Sequence, residues 1–161
     1  MSFRSRMMAA ALVISVTTAA TAQQGWSRYS NPRFGYAIDV PAGFSKDRAP
    51  ANSDGLKFLD THGATLRAWG SNNVEHLDPT SGLKQVLDAK GAAVTYKAKG
   101  KNWFVVSWRD KGKIHYEKDF LGEGAVNAFR FTYPATGGRP YTSMVTRLEQ
   151  SFKPGDLTQA H

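Results

Sequence analysis

No cysteine occurs anywhere in the 161 residues, and that absence removes several chemistries together. There can be no disulfide framework, no thiol for lipid attachment and no thiolate nucleophile. A chain of this kind must be held together by its apolar core. The sequence also lacks a run of about 20 apolar residues, the length a membrane-spanning helix needs. It has no G-x-S-x-G nucleophile elbow, no repeat of fixed period and no low-complexity tract. Acidic residues are the minority, 13 against 21 Lys and Arg, for a formal net charge of +8. Such a balance favours anionic lipid head groups, cell-wall polymers or acidic proteins as partners, and serves solubility equally well.

The first residues read as an export signal. Arg4 and Arg6 form a positive start, positions 7–16 an uncharged and mostly apolar run of roughly ten residues, and Ala20-Thr21-Ala22 the small-x-small form that signal peptidase cleaves. Cleavage after Ala22 predicts a periplasmic or secreted chain with no transmembrane anchor, for which nucleic acid is an improbable partner. At the size of residues 23–161, folding buries about two thirds of the unfolded chain's surface, enough for one core without staples. A single domain is expected over 23–154, with 155–161 as a loose tail.

Within that span the hydrophobic period changes in an orderly way. Phe34, Tyr36, Ile38 and Val40 alternate with Gly35, Ala37 and Asp39, which predicts an opening strand that stops at Pro41. Trp26 and Tyr29 precede it as anchors, and 42–53 reads as a loop. GLKFLD and ATLRAWGS flank Thr61-His62-Gly63 and predict a hairpin. Asp78-Pro79 then starts a helix that Gly91 stops. From residue 94 the period returns to two, in four strand-like runs over 94–97, 103–109, 113–120 and 125–133, separated by glycine turns. WFVVSW is apolar on both alternating faces, so it is expected to be central and covered on both sides. Tyr141, Met144, Val145, Leu148 and Phe152 form one stripe of a final helix. The pattern predicts an α+β domain, a single antiparallel sheet with packed helices.

Chemistry is harder to find. Ser107, His115 and Asp119 are the least unfavourable catalytic triad, but Ser107 sits inside an apolar strand. His115, Glu117 and Asp119 share one strand face and could in principle meet a hard cation, yet no second cluster supports them, and an exposed polar face is the better reading. No metal site is expected. His62, His76 and His161 read as solvated, and Gly122-Glu123-Gly124 as a hairpin turn rather than a phosphate loop. Lys99 and Lys101 fall at one end of the meander and Lys111 and Lys113 at the other, so with Lys97 they make a rim and not one site. The best binding lead is aromatic and basic: Arg67 and Trp69 share a strand face, with Trp103, Trp108 and Arg109 on a neighbouring part of the sheet, although tryptophans can equally be core. The candidate binding residues are Arg67, Trp69, Trp108 and Arg109.

The stretch RFGYAIDVPAGF, through Phe34, Pro41 and Phe44, resembles the opening of PsbP-like domains, a superfamily that also holds bacterial envelope proteins of the DcrB kind. The element order, ending in the amphipathic YTSMVTRLEQSF, is similar to theirs over nearly all of the mature chain. FGYAIDVPAGF, ATLRAWGS and VTYKAKGKNWFVVS also resemble small exported bacterial proteins of unknown role. The resemblance implies an α/β/α sandwich that binds another protein or a ligand, and it brings no catalytic residue and no cofactor. The expectation is an exported, non-enzymatic binding domain for a protein or envelope ligand, with anionic ligands among the candidates. The alternatives are a small periplasmic hydrolase using His115 and Glu117, and a basic structural or stress-related envelope protein.

Overall fold

The computed structural model describes residues 25–161; the export signal read over 1–22 lies outside the described residues. The chain runs β1 (Ser27–Ser30), β2 (Ala37–Val40), β3 (Ser45–Lys46), β4 (Gly55–Leu59), β5 (Thr65–Asn72), α1 (Pro79–Lys90), β6 (Val94–Lys99), β7 (Trp103–Asp110), β8 (Lys113–Leu121), β9 (Ala125–Pro134) and α2 (Arg139–Ser151). Seven strands form one antiparallel sheet in the order β3-β4-β5-β9-β8-β7-β6, while β1 and β2 pair as a separate ribbon. This is the α+β architecture that the alternation predicts. No helix among the described residues is long and apolar enough to cross a membrane.

The opening strand departs from expectation in two respects. All four alternating side chains, Phe34, Tyr36, Ile38 and Val40, are buried, but only Ala37–Val40 is strand and its partner is β1 rather than the main sheet. The cause is local. The Asn31 carboxamide oxygen accepts the backbone N–H groups of Arg33 and Phe34 at 3.0 and 2.8 Å, and Gly35 takes φ +70°, a value that glycine tolerates and that breaks an extended run.

Side-chain alternation along the registered strands divides the core into two layers. One sheet face carries Phe58, Leu66, Phe129 and Phe131, and the β1–β2 ribbon and α2 cover it through Tyr36, Ile38, Leu148 and Phe152. Each large apolar side chain withdrawn from water there contributes about 1.5–3 kcal/mol. The other face carries Phe104, Val106, Trp108 and Leu121, covered by Leu83, Val86 and Leu87 of α1. The Asp78 carboxylate accepts the N–H groups of Thr80 and Ser81 and fixes the start of that helix. Gly82 lets it lie close, since a Cβ there would stand 2.8 Å from the Phe104 ring.

Strand β7 is apolar on both faces and covered on both, yet it lies second from the sheet edge rather than at its centre. Helix α1 covers its Phe104, Val106 and Trp108 face. The tail also differs from expectation. The Asn127 carboxamide oxygen accepts the Gly155 N–H at 2.8 Å, Leu157 accepts the N–H groups of Gly124 and Ala125, and the His161 ring packs edge-on against Phe34 at 5.1 Å. Residues 155–161 are therefore fastened across the sheet end. Their polar composition hides this, because backbone and carboxamide groups do the fastening.

Candidate functional site

Helix α1 covers only the β6–β7–β8 side of its face, leaving the outward side chains of β4, β5 and β9 without a helical cover. Register places them in rows. One row crosses the strands as Lys57, Arg67, Arg130 and Glu117. The next runs Gly55, Trp69, Ala128 and Asp119, and a third runs Thr65, Thr132, His115 and Trp108. The first row sets three cations side by side, an arrangement that cross-strand repulsion disfavours unless something offsets it.

Two of the three cations are offset within the fold. Arg130 Nε bonds the Glu117 carboxylate, and Lys57 Nζ meets Asp47 at 2.7 Å. Arg67, between them, forms no ion pair or hydrogen bond among the described residues. Its guanidinium rests over the Trp69 ring at 5.1 Å. Arg130 lies over the same ring at 5.7 Å and over Trp108 at 5.1 Å, so one guanidinium bridges two indoles.

Beneath this layer the polar groups are tightly held. The His115 ring lies flat on Trp108, with centroids 4.8 Å apart and planes 6° apart, and its Nδ1 shares a 2.9 Å hydrogen bond with Thr132 Oγ1. Burial, reinforced by the Arg130 charge, pushes the imidazole pKa down and favours its neutral form. Asp119 is stranger. One of its carboxylate oxygens is buried with no hydrogen-bond partner among the described residues. Burial, and then the Glu117 charge, hold its pKa well above the ordinary carboxylate value despite the opposing pull of Arg130.

Beside the rows, the 47–54 segment folds along the sheet edge and encloses a cleft of about 320 Å³. Arg48, Lys57, Arg67 and Trp69 line it together with Asp47 and Asp54. The open half-face and the cleft make one continuous surface, rich in guanidinium donors and walled by an indole. Such a surface can hold an anion or a flat apolar group.

The residues singled out from sequence separate into two groups. Arg67, Trp69 and Trp108 share this face, although Trp108 is only 3% exposed and forms the floor under Arg130, not a contact surface. Arg109 is registered opposite Ile114 and belongs to the other face, away from them. Trp103, opposite Phe120, lies there too. Ser107 is registered opposite Tyr116, on the face away from His115 and Asp119, so the triad is not assembled. His115, Glu117 and Asp119 do line one face, but no group of three His, Asp or Glu side chains among the described residues is placed to hold a metal ion. The hydrolase pair is already engaged, Glu117 by Arg130 and His115 by Thr132 and Trp108.

Two features escaped the sequence reading. Arg130 is the hub of the face, and its only sequence signal is a lone cation at an alternate position of the otherwise uncharged AVNAFRFTY. Ser81 and Lys84 stand in an S-x-x-K spacing, the pattern of some serine acylases. Here the Ser81 hydroxyl belongs to the cap of α1 and Lys84 bonds Asp88 at 2.5 Å, so neither serves the other.

No family model and no curated protein matches this sequence. Among solved structures, cyanobacterial PsbP (CyanoP) from Synechocystis sp. PCC 6803 is similar over 84% of this chain and 95% of that one, with a TM-score of 0.59 and 15% identity. At that identity the likeness concerns the fold, and the PsbP-like architecture is the part of the resemblance it supports.

Proposed function

We infer that the protein is a non-enzymatic binding domain that acts outside the cytoplasm and recognises a protein or envelope ligand through the uncovered half of its sheet. Arg67, Trp69 and Arg130 make the contact surface, with Trp108 as the support beneath Arg130. One observation carries this reading: three cations stand in register on an open face, and the middle one, Arg67, has no carboxylate. Such a row costs the free domain stability, and an anionic partner would offset that cost. Trp and Arg are also the side chains that most often dominate binding surfaces. The export signal read at residues 1–22 supports the location.

Capture from extracts of the native cell envelope tests the reading. The tagged protein should retain a specific partner, and Trp69→Ala combined with Arg67→Gln should release it while leaving thermal melting intact. Arg109→Ala, on the opposite face, should capture as the wild type does. Equal capture by the double variant would refute the assignment.

A further inference from the structure

We propose that the cleft between the 47–54 segment and strands β4 and β5 is an oxyanion site, taking a phosphate or carboxylate group carried on a flat or apolar body. The inference rests on the reading above that this half-face is the binding surface, and it specifies the chemistry of the ligand.

The charges around the cleft do not cancel. Asp47 bonds Lys57 at 2.7 Å, and Asp54 bonds Arg33 at 2.6 Å, outside the lining. Both lining carboxylates are therefore engaged. Arg48 and Arg67 remain, and neither has a carboxylate partner among the described residues. Two arginines thus line one cavity with their side-chain donors unengaged among the described residues, on a surface whose next cation, Arg130, is already neutralised by Glu117.

Arg67 is also held in place. The cation–π contact with Trp69, 5.1 Å from guanidinium carbon to ring centroid, restricts the side chain while none of its N–H donors is engaged among the described residues, so less rotamer freedom is lost when an anion docks. A planar fork of N–H donors matches two oxygens of a phosphate or carboxylate at once. A phosphate monoester brings about −1.5 to −2 charges near neutral pH, comparable to the two unpaired guanidiniums. The indole wall of Trp69 offers the rest of the ligand an apolar surface. A divalent cation does not fit, since the carboxylates of the cleft are engaged and cations surround them.

A soluble phosphoester and a phospholipid head group share this chemistry, and one experiment with the full-length protein separates them. Phenyl phosphate, titrated calorimetrically at low ionic strength, should bind saturably and more tightly than inorganic phosphate, whereas phenol should not bind. Arg67→Gln should weaken phenyl phosphate by about tenfold or more, the loss expected for a charge-assisted contact. Arg48→Gln should weaken it as well, and Arg109→Gln should leave it unchanged. Phenyl phosphate should also raise the melting temperature of the wild type and not that of Arg67→Gln. Sedimentation with vesicles of phosphatidylglycerol against phosphatidylcholine then identifies the source: Arg67-dependent retention on the former points to a lipid head group, and its absence to a soluble ester. The inference is overturned if neither phosphate probe nor phosphatidylglycerol binds, or if a correctly folded Arg67→Gln binds as the wild type does. Should it fail while Trp69-dependent capture from the envelope persists, the binding face stands and only its anion chemistry falls.

Discussion

Replacing Asp119 by asparagine should make the domain more stable at neutral and alkaline pH and should leave its stability little changed in acid. The side chain is buried against Ala128 and Phe104 in register, with one oxygen lacking a partner. Its folded pKa lies well above the ordinary aspartate value of 3.8 because burial and the Glu117 charge both disfavour the carboxylate. The sign follows from proton linkage. Between 3.8 and the folded pKa the native state holds a proton that the unfolded state has released, so native stability is fully present below 3.8 and is lost as pH rises through the folded pKa. Each pH unit within that window removes at most about 1.4 kcal/mol. Asparagine cannot take the charge and escapes that loss, so the gain expected for Asp119→Asn at pH 8 is at least what one pH unit of the window removes, about 1.4 kcal/mol. With a urea slope of about 1–3 kcal/mol/M, the midpoint should rise by roughly 1 M. Urea unfolding of both proteins from pH 3 to pH 9 measures the effect. The surface carboxylates titrate alike in the two proteins and cancel in the difference, and a constant offset from burying the amide leaves its pH dependence intact. Stability curves that run parallel across the whole range would refute the reasoning.

Other perturbations test the fold and the face. Leu148→Asp places a charge on a fully buried site, and by the cost of unpaired buried charge it should abolish cooperative thermal unfolding; a native-like melt would contradict the packing of α2. In Gly70→Ala, the new Cβ would fall 2.2 Å from Phe34 Cγ, which should destabilise by about 1–3 kcal/mol in chemical denaturation. Deleting residues 156–161 removes the contacts of Leu157 and His161 and should lower the melting temperature by several degrees, whereas a loose tail would leave it unchanged. Arg130→Met leaves Glu117, 5% exposed, without its cation and should cost about 1–3 kcal/mol; unchanged stability would show that the pair contributes nothing.

The alternating runs of β4 and β5 and the stripe of α2 were legible because each buries one face, so that period and burial coincide, and β7 was legible as a continuous apolar run because both its faces are covered. The cap at Asp78 and the stop at Gly91 were legible for a similar reason: the side chain or backbone freedom needed is written at one position. Long-range register was not. Nothing local in TLRAWGSN or AVNAFRFTYP says that Arg67 faces Arg130, since β9 enters the sheet between β5 and β8 only after two intervening hairpins. Arg109 shows the complementary failure: adjacency to Trp108 in sequence means the opposite face on a pleated strand. Ser107, already a poor candidate nucleophile inside an apolar strand, is kept from His115 by the same rule, because register sets Tyr116, not His115, opposite it. The opening strand was overextended because the Asn31 turn and the left-handed Gly35 interrupt the chain without altering its apolar alternation.

The uncovered half-sheet is the centre of the functional account, and hydrogen-exchange mass spectrometry of the protein, alone and saturated with its envelope partner, tests it most directly. Protection should appear over β4, β5 and the 47–54 segment and spare α2 and the β1–β2 ribbon. Protection confined to α2 or that ribbon, with the Arg67 face exchanging freely, would contradict it.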